Sequence, residues 1–180
     1  MRIVLTGVPG TGKTTIAKKL AAQLGLELVD INQVVTEKKL WRNKDKFGTR
    51  IVDLRKLGAS LKGLSKKNNW VVEGHLACEF KLPADLVIVL RTKPSKLEKR
   101  LAKRGYAKEK LEENLMAEML DYCTIKSLEN YPEKKVFEIE TSGTQKKTIS
   151  EIISITKKQK KSMKLRAGWV DWSEQLLKRL

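Results

Sequence analysis

Two hydrophobic rhythms alternate along this chain of 180 residues. Unbroken apolar runs occupy 2–6 (RIVLT), 70–73 (WVVE) and 86–90 (LVIVL), and such runs suit strands covered on both faces of a parallel sheet. Segments 27–30 (ELVD) and 135–140 (KVFEIE) read as two further strands. Between these runs the apolar spacing changes to three and four. Ile16, Leu20 and Leu24, with Ala17 and Ala21 alongside, mark a helix over about 13–24 that Gly25 ends. Leu54, Leu57, Leu61 and Leu64 mark a second, with Gly58 and Gly63 as weak points. A third covers 94–104 and stops at Gly105. Leu111, Leu115, Met119 and Tyr122 mark a fourth, and Ile149, Ile152, Ile153 and Thr156 a fifth. Strand and helix alternate, which predicts an α/β three-layer sandwich: a parallel five-stranded sheet with helices on both faces.

Between the first strand and the first helix, residues 7–14 read Gly-Val-Pro-Gly-Thr-Gly-Lys-Thr, a full match to G-x-x-x-x-G-K-[ST] in the strand-to-helix setting that motif needs. Glycines such as Gly10 and Gly12 let the backbone wrap so that its N–H groups face a phosphate, and the helix N-terminus adds positive potential. In such a loop Lys13 can reach the β- and γ-phosphates and the Thr14 hydroxyl can ligate Mg²⁺. The expected cofactors are therefore ATP and Mg²⁺.

Ligands of open α/β sheets bind beyond the carboxyl ends of the strands. Glu73 ends the strand WVVE, with His75, the one histidine of the chain, two residues on. A carboxylate there can hold a Mg²⁺-bound water, and His75 at a strand end is read as functional in preference to a packing residue. Asp30 and Asn32, at the end of the second strand, either face a bound nucleotide or cap the next helix.

Composition narrows the setting. Apolar residues make up 41% and charged residues 33%, enough for a packed core, and no apolar run is long enough to cross a membrane. The N-terminal apolar run breaks at Gly7 without a cleavage pattern, so no signal peptide is expected. Cys78 and Cys123 are too few for a disulfide scaffold, which fits a reducing, cytoplasmic or nuclear compartment. The formal charge is +17, and it is unevenly spread. Residues 38–67 hold 11 basic and 2 acidic side chains, 93–110 hold 8 and 2, and 146–180 hold 10 and 3. The run 157–166 (KKQKKSMKLR) is basic throughout its charged positions, and such runs bind phosphates by releasing counterions. Trp169 and Trp172 follow it and either stack on RNA bases or pack on the domain.

The phosphate loop GVPGTGKTT at 7–15 resembles that of nucleoside monophosphate kinases. VVEGH at 71–75, followed by VLRTKPSKLEKRLAKRGYAKEKLEENLMAEM at 89–119, resembles the CINAP-type adenylate kinases, the nuclear and archaeal branch, over about residues 1–158. That resemblance implies a P-loop kinase domain over 1–158 and a basic tail over 159–180. It implies that Gly10, Gly12, Lys13, Thr14 and Thr15 hold the ATP phosphates. A monophosphate-binding insertion would lie at about 30–53, and a short lid at about 103–113 would bring Arg104 to the phosphates. Lys13, Glu73, His75 and Arg104 would be the catalytic group, with Asp30 and Asn32 toward AMP. Glu73 stands where the family usually has Asp, and Thr36 stands where a basic residue is sought, with Arg42, Arg50 or Arg55 as substitutes. The resemblance further implies adenylate kinase and ATPase activity, with a role in maturation of the small ribosomal subunit and processing of its rRNA. The implied partners are a platform ribosomal protein, rRNA and AMP, with no membrane, in archaeal cytosol or a nucleus. The other reading is an ATP-switched assembly factor with little kinase turnover.

Overall fold

The computed structural model describes residues 1–45 and 48–179, except the Lys161 side chain. Residues 46 and 47 of the expected insertion, the Lys161 side chain of the basic run and Leu180 of the expected tail lie outside it. The strands are β1 (Arg2–Thr6), β2 (Glu27–Asp30), β3 (Trp41–Lys44), β4 (Arg50–Val52), β5 (Trp70–Glu73), β6 (Leu86–Arg91) and β7 (Val136–Glu140). The helices are α1 (Lys13–Leu24), α2 (Ile31–Glu37), α3 (Leu54–Leu61), α4 (Pro94–Ala102), α5 (Lys108–Met119), α6 (Tyr122–Asn130), α7 (Gln145–Thr156) and α8 (Ser173–Leu177).

The main sheet has the order β2-β5-β1-β6-β7 and every pairing in it is parallel, as the apolar runs predict. Ile3 sits opposite Val71 on one side and Leu86 on the other. Successive side chains of a strand point to opposite faces. Ile3 and Leu5 accordingly join Ile88, Leu90 and Ile139 under α1 (Ile16, Leu20) and α7 (Ile152, Ile155). Val4 faces the other way, with Val72, Val87 and Val89, under Leu57 and Leu61 of α3, Leu97 and Leu101 of α4, and Leu115 of α5. The result is three layers.

One feature departs from the sequence reading, and a second decides between its alternatives. The helix marked by Leu111 to Tyr122 is broken: Asp121 adopts φ +56°, ending α5, and Tyr122 opens the separate helix α6. A buried ion network lies beneath the break. Arg91, at the end of β6 with its side chain 2% exposed, is a buried cation that meets three carboxylates. Its Nε donates to Glu118 at 2.9 Å, and its Nη atoms donate to Glu138 and Asp121. The kink at Asp121 brings the third carboxylate to that cation.

The second feature is the segment after residue 158, which packs on the same core. Val170 and Trp172 are buried in the cluster beneath α4 and α5. Glu138 accepts from the Gly168 and Val170 backbone N–H groups at 2.8 and 3.3 Å. The Trp172 indole donates to Glu118 at 3.1 Å. Trp169 is 45% exposed, yet its indole donates to the Glu138 carbonyl at 2.9 Å.

Candidate active site

The phosphate loop is clamped between two strands and a helix. A Cβ on Gly7 would stand 2.4 Å from the Leu90 carbonyl, and one on Gly10 2.7 Å from Leu97, so the loop backbone lies directly against β6 and α4. Only glycine permits that approach. The Thr141 hydroxyl, just after β7, donates to the Thr11 carbonyl at 3.0 Å. Arg100 of α4 donates to the Gly10 carbonyl at 3.3 Å and to the Thr141 carbonyl at 2.8 Å. Arg100 went unnoticed in the sequence reading. Its signal was available: it precedes Arg104 by one helical turn, which places the two on one face.

Lys13 opens α1 and is 8% exposed. Its Nζ donates to the carbonyls of Gly7 and Val8 at 2.8 and 3.0 Å, folded over the loop that it serves. Burial pulls its ammonium pKa down, offset in part by Cys123 and Glu73.

A cavity of about 880 Å³ opens above this loop. That is a volume suited to a nucleotide-sized ligand. Gly10, Gly12, Lys13, Thr14 and Thr15 line its floor, Glu73 and His75 the wall beyond β5, and Arg104, just past α4, also borders it. A second cavity of about 250 Å³ lies beside it, between the loop, Arg100, Arg104 and the segment from Thr141 to Thr148. Gly10, Gly12, Thr15 and Arg104 border both. The sheet topology makes this convergence: β1, β5 and β2 end side by side, with Leu5 level with Glu73 and Glu73 level with Asp30.

Glu73 is 1% exposed, and neither carboxylate oxygen has a hydrogen-bond partner among the described residues. Burial pushes its pKa above the ordinary carboxylate range; the nearby Thr14 hydroxyl, short of a full hydrogen bond, and Lys13 act the other way. A buried acceptor left unpaired calls for an ion or water. A hydrated Mg²⁺ fits: that ion takes one or two carboxylates, keeps several waters and uses phosphate oxygens for the rest. No cluster of three or more His, Cys, Asp and Glu side chains forms an all-protein metal site among the described residues.

His75 starts a turn of 3-10 helix at 75–79. Its carbonyl accepts from Thr6 and Cys78, each at 3.1 Å, which fixes its place. Burial first, then Lys13 and Lys110, push its imidazole pKa down to about 4, so it is neutral at pH 7. A neutral ring facing the cavity both donates and accepts.

Asp30 caps α2: its carboxylate accepts from the N–H groups of Asn32 and Gln33 at 2.8 and 3.3 Å. Asn32, not Asp30, borders the cavity. In the insertion, Arg50 donates to Thr36 at 3.2 Å and stacks 4.0 Å over Trp41, while Arg42 is held by Asp53 at 2.9 Å. Arg55 borders neither cavity. The β3–β4 hairpin meets α5 through Asp45 and Lys110 at 3.7 Å, roofing the cavity beside Thr49.

A family model described as an AAA domain matches residues 3–121. A Pyrococcus abyssi protein named "Putative adenylate kinase" is 40% identical over 175 residues, covering 97% of this chain and 92% of that protein. A protein of the same name from Methanocaldococcus jannaschii is 38% identical over 177 residues, covering 97% and 94%. Among solved structures, shikimate kinase from Acinetobacter baumannii in complex with shikimate superposes with a TM-score of 0.63 at 21% identity, covering 88% of this chain and 94% of that one. Deoxyadenosine kinase from M. mycoides with bound dATP gives a TM-score of 0.57 at 18% identity, covering 87% of this chain and 100% of that one. These two likenesses establish the P-loop kinase fold. No helix among the described residues is long and apolar enough to cross a membrane.

Proposed function

The chain belongs to the family of archaeal adenylate kinase homologues, and on that footing we propose that it transfers the γ-phosphoryl group of ATP to AMP, with slower transfer to water. Phosphoryl transfer needs positioning and neutralisation of charge more than covalent chemistry from the protein. The backbone of the clamped loop receives the β-phosphate, and Lys13 swings from its carbonyl partners to the β- and γ-oxygens. Thr14 and Glu73 would hold Mg²⁺, which neutralises the phosphate oxygens when bound. Arg104, on the lid and bordering both cavities, closes over the phosphates and keeps water out. The smaller cavity between Arg100 and the Thr141–Thr148 segment takes the nucleoside of ATP. His75, neutral and facing the cavity, orients the acceptor or, in its absence, a water. Asn32 faces the acceptor, whereas Asp30 acts through the α2 cap.

The observation that carries this reading is the buried, unpaired carboxylate of Glu73 beside the Thr14 hydroxyl at the foot of the cavity. The test is a coupled assay of ADP formation with and without AMP, run beside phosphate release. AMP-dependent ADP formation supports transfer to AMP. ADP formation that AMP leaves unchanged, matched by phosphate release, would overturn it.

A second reading rests on the charge of +17, more than a nucleotide requires. In it the chain is a CINAP-type assembly factor in archaeal cytosol, binding a platform ribosomal protein and rRNA of the small subunit and using ATP turnover for release. Recovery of small-subunit protein and rRNA with the chain purified from cells, lost in high salt, supports this role. Purification free of both sinks it.

A further inference from the structure

The proposed lid, about 103–113, starts as the loop 103–107 between α4 and α5, and its reach depends on how those two helices are held together. Glu98 on α4 and Glu112 on α5 each lie about one helical turn from that loop. Two carboxylates brought together this way repel. Arg179, just past α8, resolves the conflict: its Nη1 donates to Glu112 at 2.5 Å and its Nη2 to Glu98 at 2.7 Å. A guanidinium fork is planar and rigid, so it fixes the separation of the two acceptors as well as neutralising them.

The other end of the same segment is anchored. Trp172 is 7% exposed and bonded to Glu118 of α5, Val170 is buried, and Leu176 packs against the same cluster. Glu118 in turn accepts from Arg91 and from the Thr92 N–H at the end of β6. The segment therefore runs from the sheet to both legs of the lid hairpin. Arg104, at the tip of that hairpin, borders both cavities.

We infer that residues 170–179 form a strap across the lid hairpin and that Arg179 is a positioning residue for Arg104. The inference deepens the phosphoryl-transfer reading and rests on its nucleotide site, but not on the identity of the acceptor.

The test is ATP affinity, titrated directly on the full chain without AMP. The Arg179 pairs are partly exposed, and such pairs bias an equilibrium modestly. Arg179→Ala is expected to weaken ATP binding about two- to fivefold at low salt, with Arg179→Lys recovering part of the loss. In an Arg104→Ala background the same change is expected to have no further effect, because the strap acts through Arg104. Unchanged ATP affinity in Arg179→Ala, or an equal loss with Arg104 already removed, overturns the strap. Absence of ATP binding by the wild-type chain overturns the transfer reading itself, and the strap with it.

Discussion

The two ends of the large cavity are built on different principles. At the phosphate end every fixing bond is internal: Lys13 on the loop carbonyls, Thr141 on Thr11, Arg100 on Gly10 and Thr141, with β6 and α4 pressed against two glycines. At the acceptor end the fixing groups are on an exposed hairpin and the first turn of α5: Arg50 on Thr36, Arg42 on Asp53, Lys110 with Asp45. The first end is preorganised, and the second is assembled from surface contacts worth little each. On the proposed reading, the difference would put the handling of ATP on the rigid side and the choice of acceptor on the adjustable side.

The largest expected effect tests what holds the rigid side from behind. Arg91→Ala leaves Glu118, Glu138 and Asp121 without their cation, two of them buried. Denaturant unfolding is expected to show a loss of about 3–5 kcal/mol. A loss below about 1 kcal/mol would mean that the rigid end does not depend on this network.

Next is Lys13→Ala. It should cut nucleotide turnover by about 10²–10³ while leaving the denaturant midpoint near that of the wild type. Comparable damage to stability would show Lys13 to be a structural brace of its loop.

Glu73→Gln separates the two roles of one residue. Removing an unpaired buried charge should stabilise the nucleotide-free protein, by on the order of 1 kcal/mol, while Mg²⁺-dependent turnover falls by about 10². Thermal melting with and without Mg²⁺–ATP reads both. Its pH dependence has a definite sign: the folded pKa of Glu73 is raised, so its contribution favours folding below the usual carboxylate pKa and fades as pH rises.

His75 acts in the opposite direction. Its folded pKa is depressed from 6.5 to about 4, so its contribution is present above pH 6.5 and lost as pH falls toward 4. The span of that loss is at most roughly 3 kcal/mol. His75→Gln should flatten the stability profile between those pH values; an unaltered slope would show that the imidazole is not held neutral by its surroundings.

The smallest effect belongs to the adjustable side. Lys110→Ala removes the contact between lid helix and insertion, and should raise KM for the acceptor a few fold with kcat and ATP affinity nearly unchanged. A larger change in ATP affinity than in acceptor KM would erase the distinction between the two ends.

How much of this was legible in the chain follows the same division. The strands, the loop and α1 are local: an apolar run long enough to be covered on both faces, a glycine pattern, a lysine at a helix start. Nothing beyond neighbouring residues is needed to read them. The acceptor side was harder, because Thr36, Arg42 and Arg50 find partners across a hairpin whose strands, β3 and β4, carry no strong apolar alternation. The break at Asp121 was hidden for a further reason. Arg91, the partner of Asp121, lies thirty residues away, just past the apolar run 86–90, and a helix pattern read by periodicity continues through a kink whose ion-pair partner is distant.

The basic residues show the boundary most clearly. Their number and their three clusters are properties of the sequence, and so is the expectation of a phosphate-bearing ligand, because charge needs no fold to be counted. Which of them serve which task was decided by tertiary structure. Burial turned Lys13 to its loop, desolvation made Arg91 a structural cation, helix geometry gave Arg100 two carbonyls, and the return of the chain across α4 and α5 gave Arg179 two carboxylates. The physical reason is that a charge acquires its role from the dielectric and the partners around it, and both are made by residues distant along the chain.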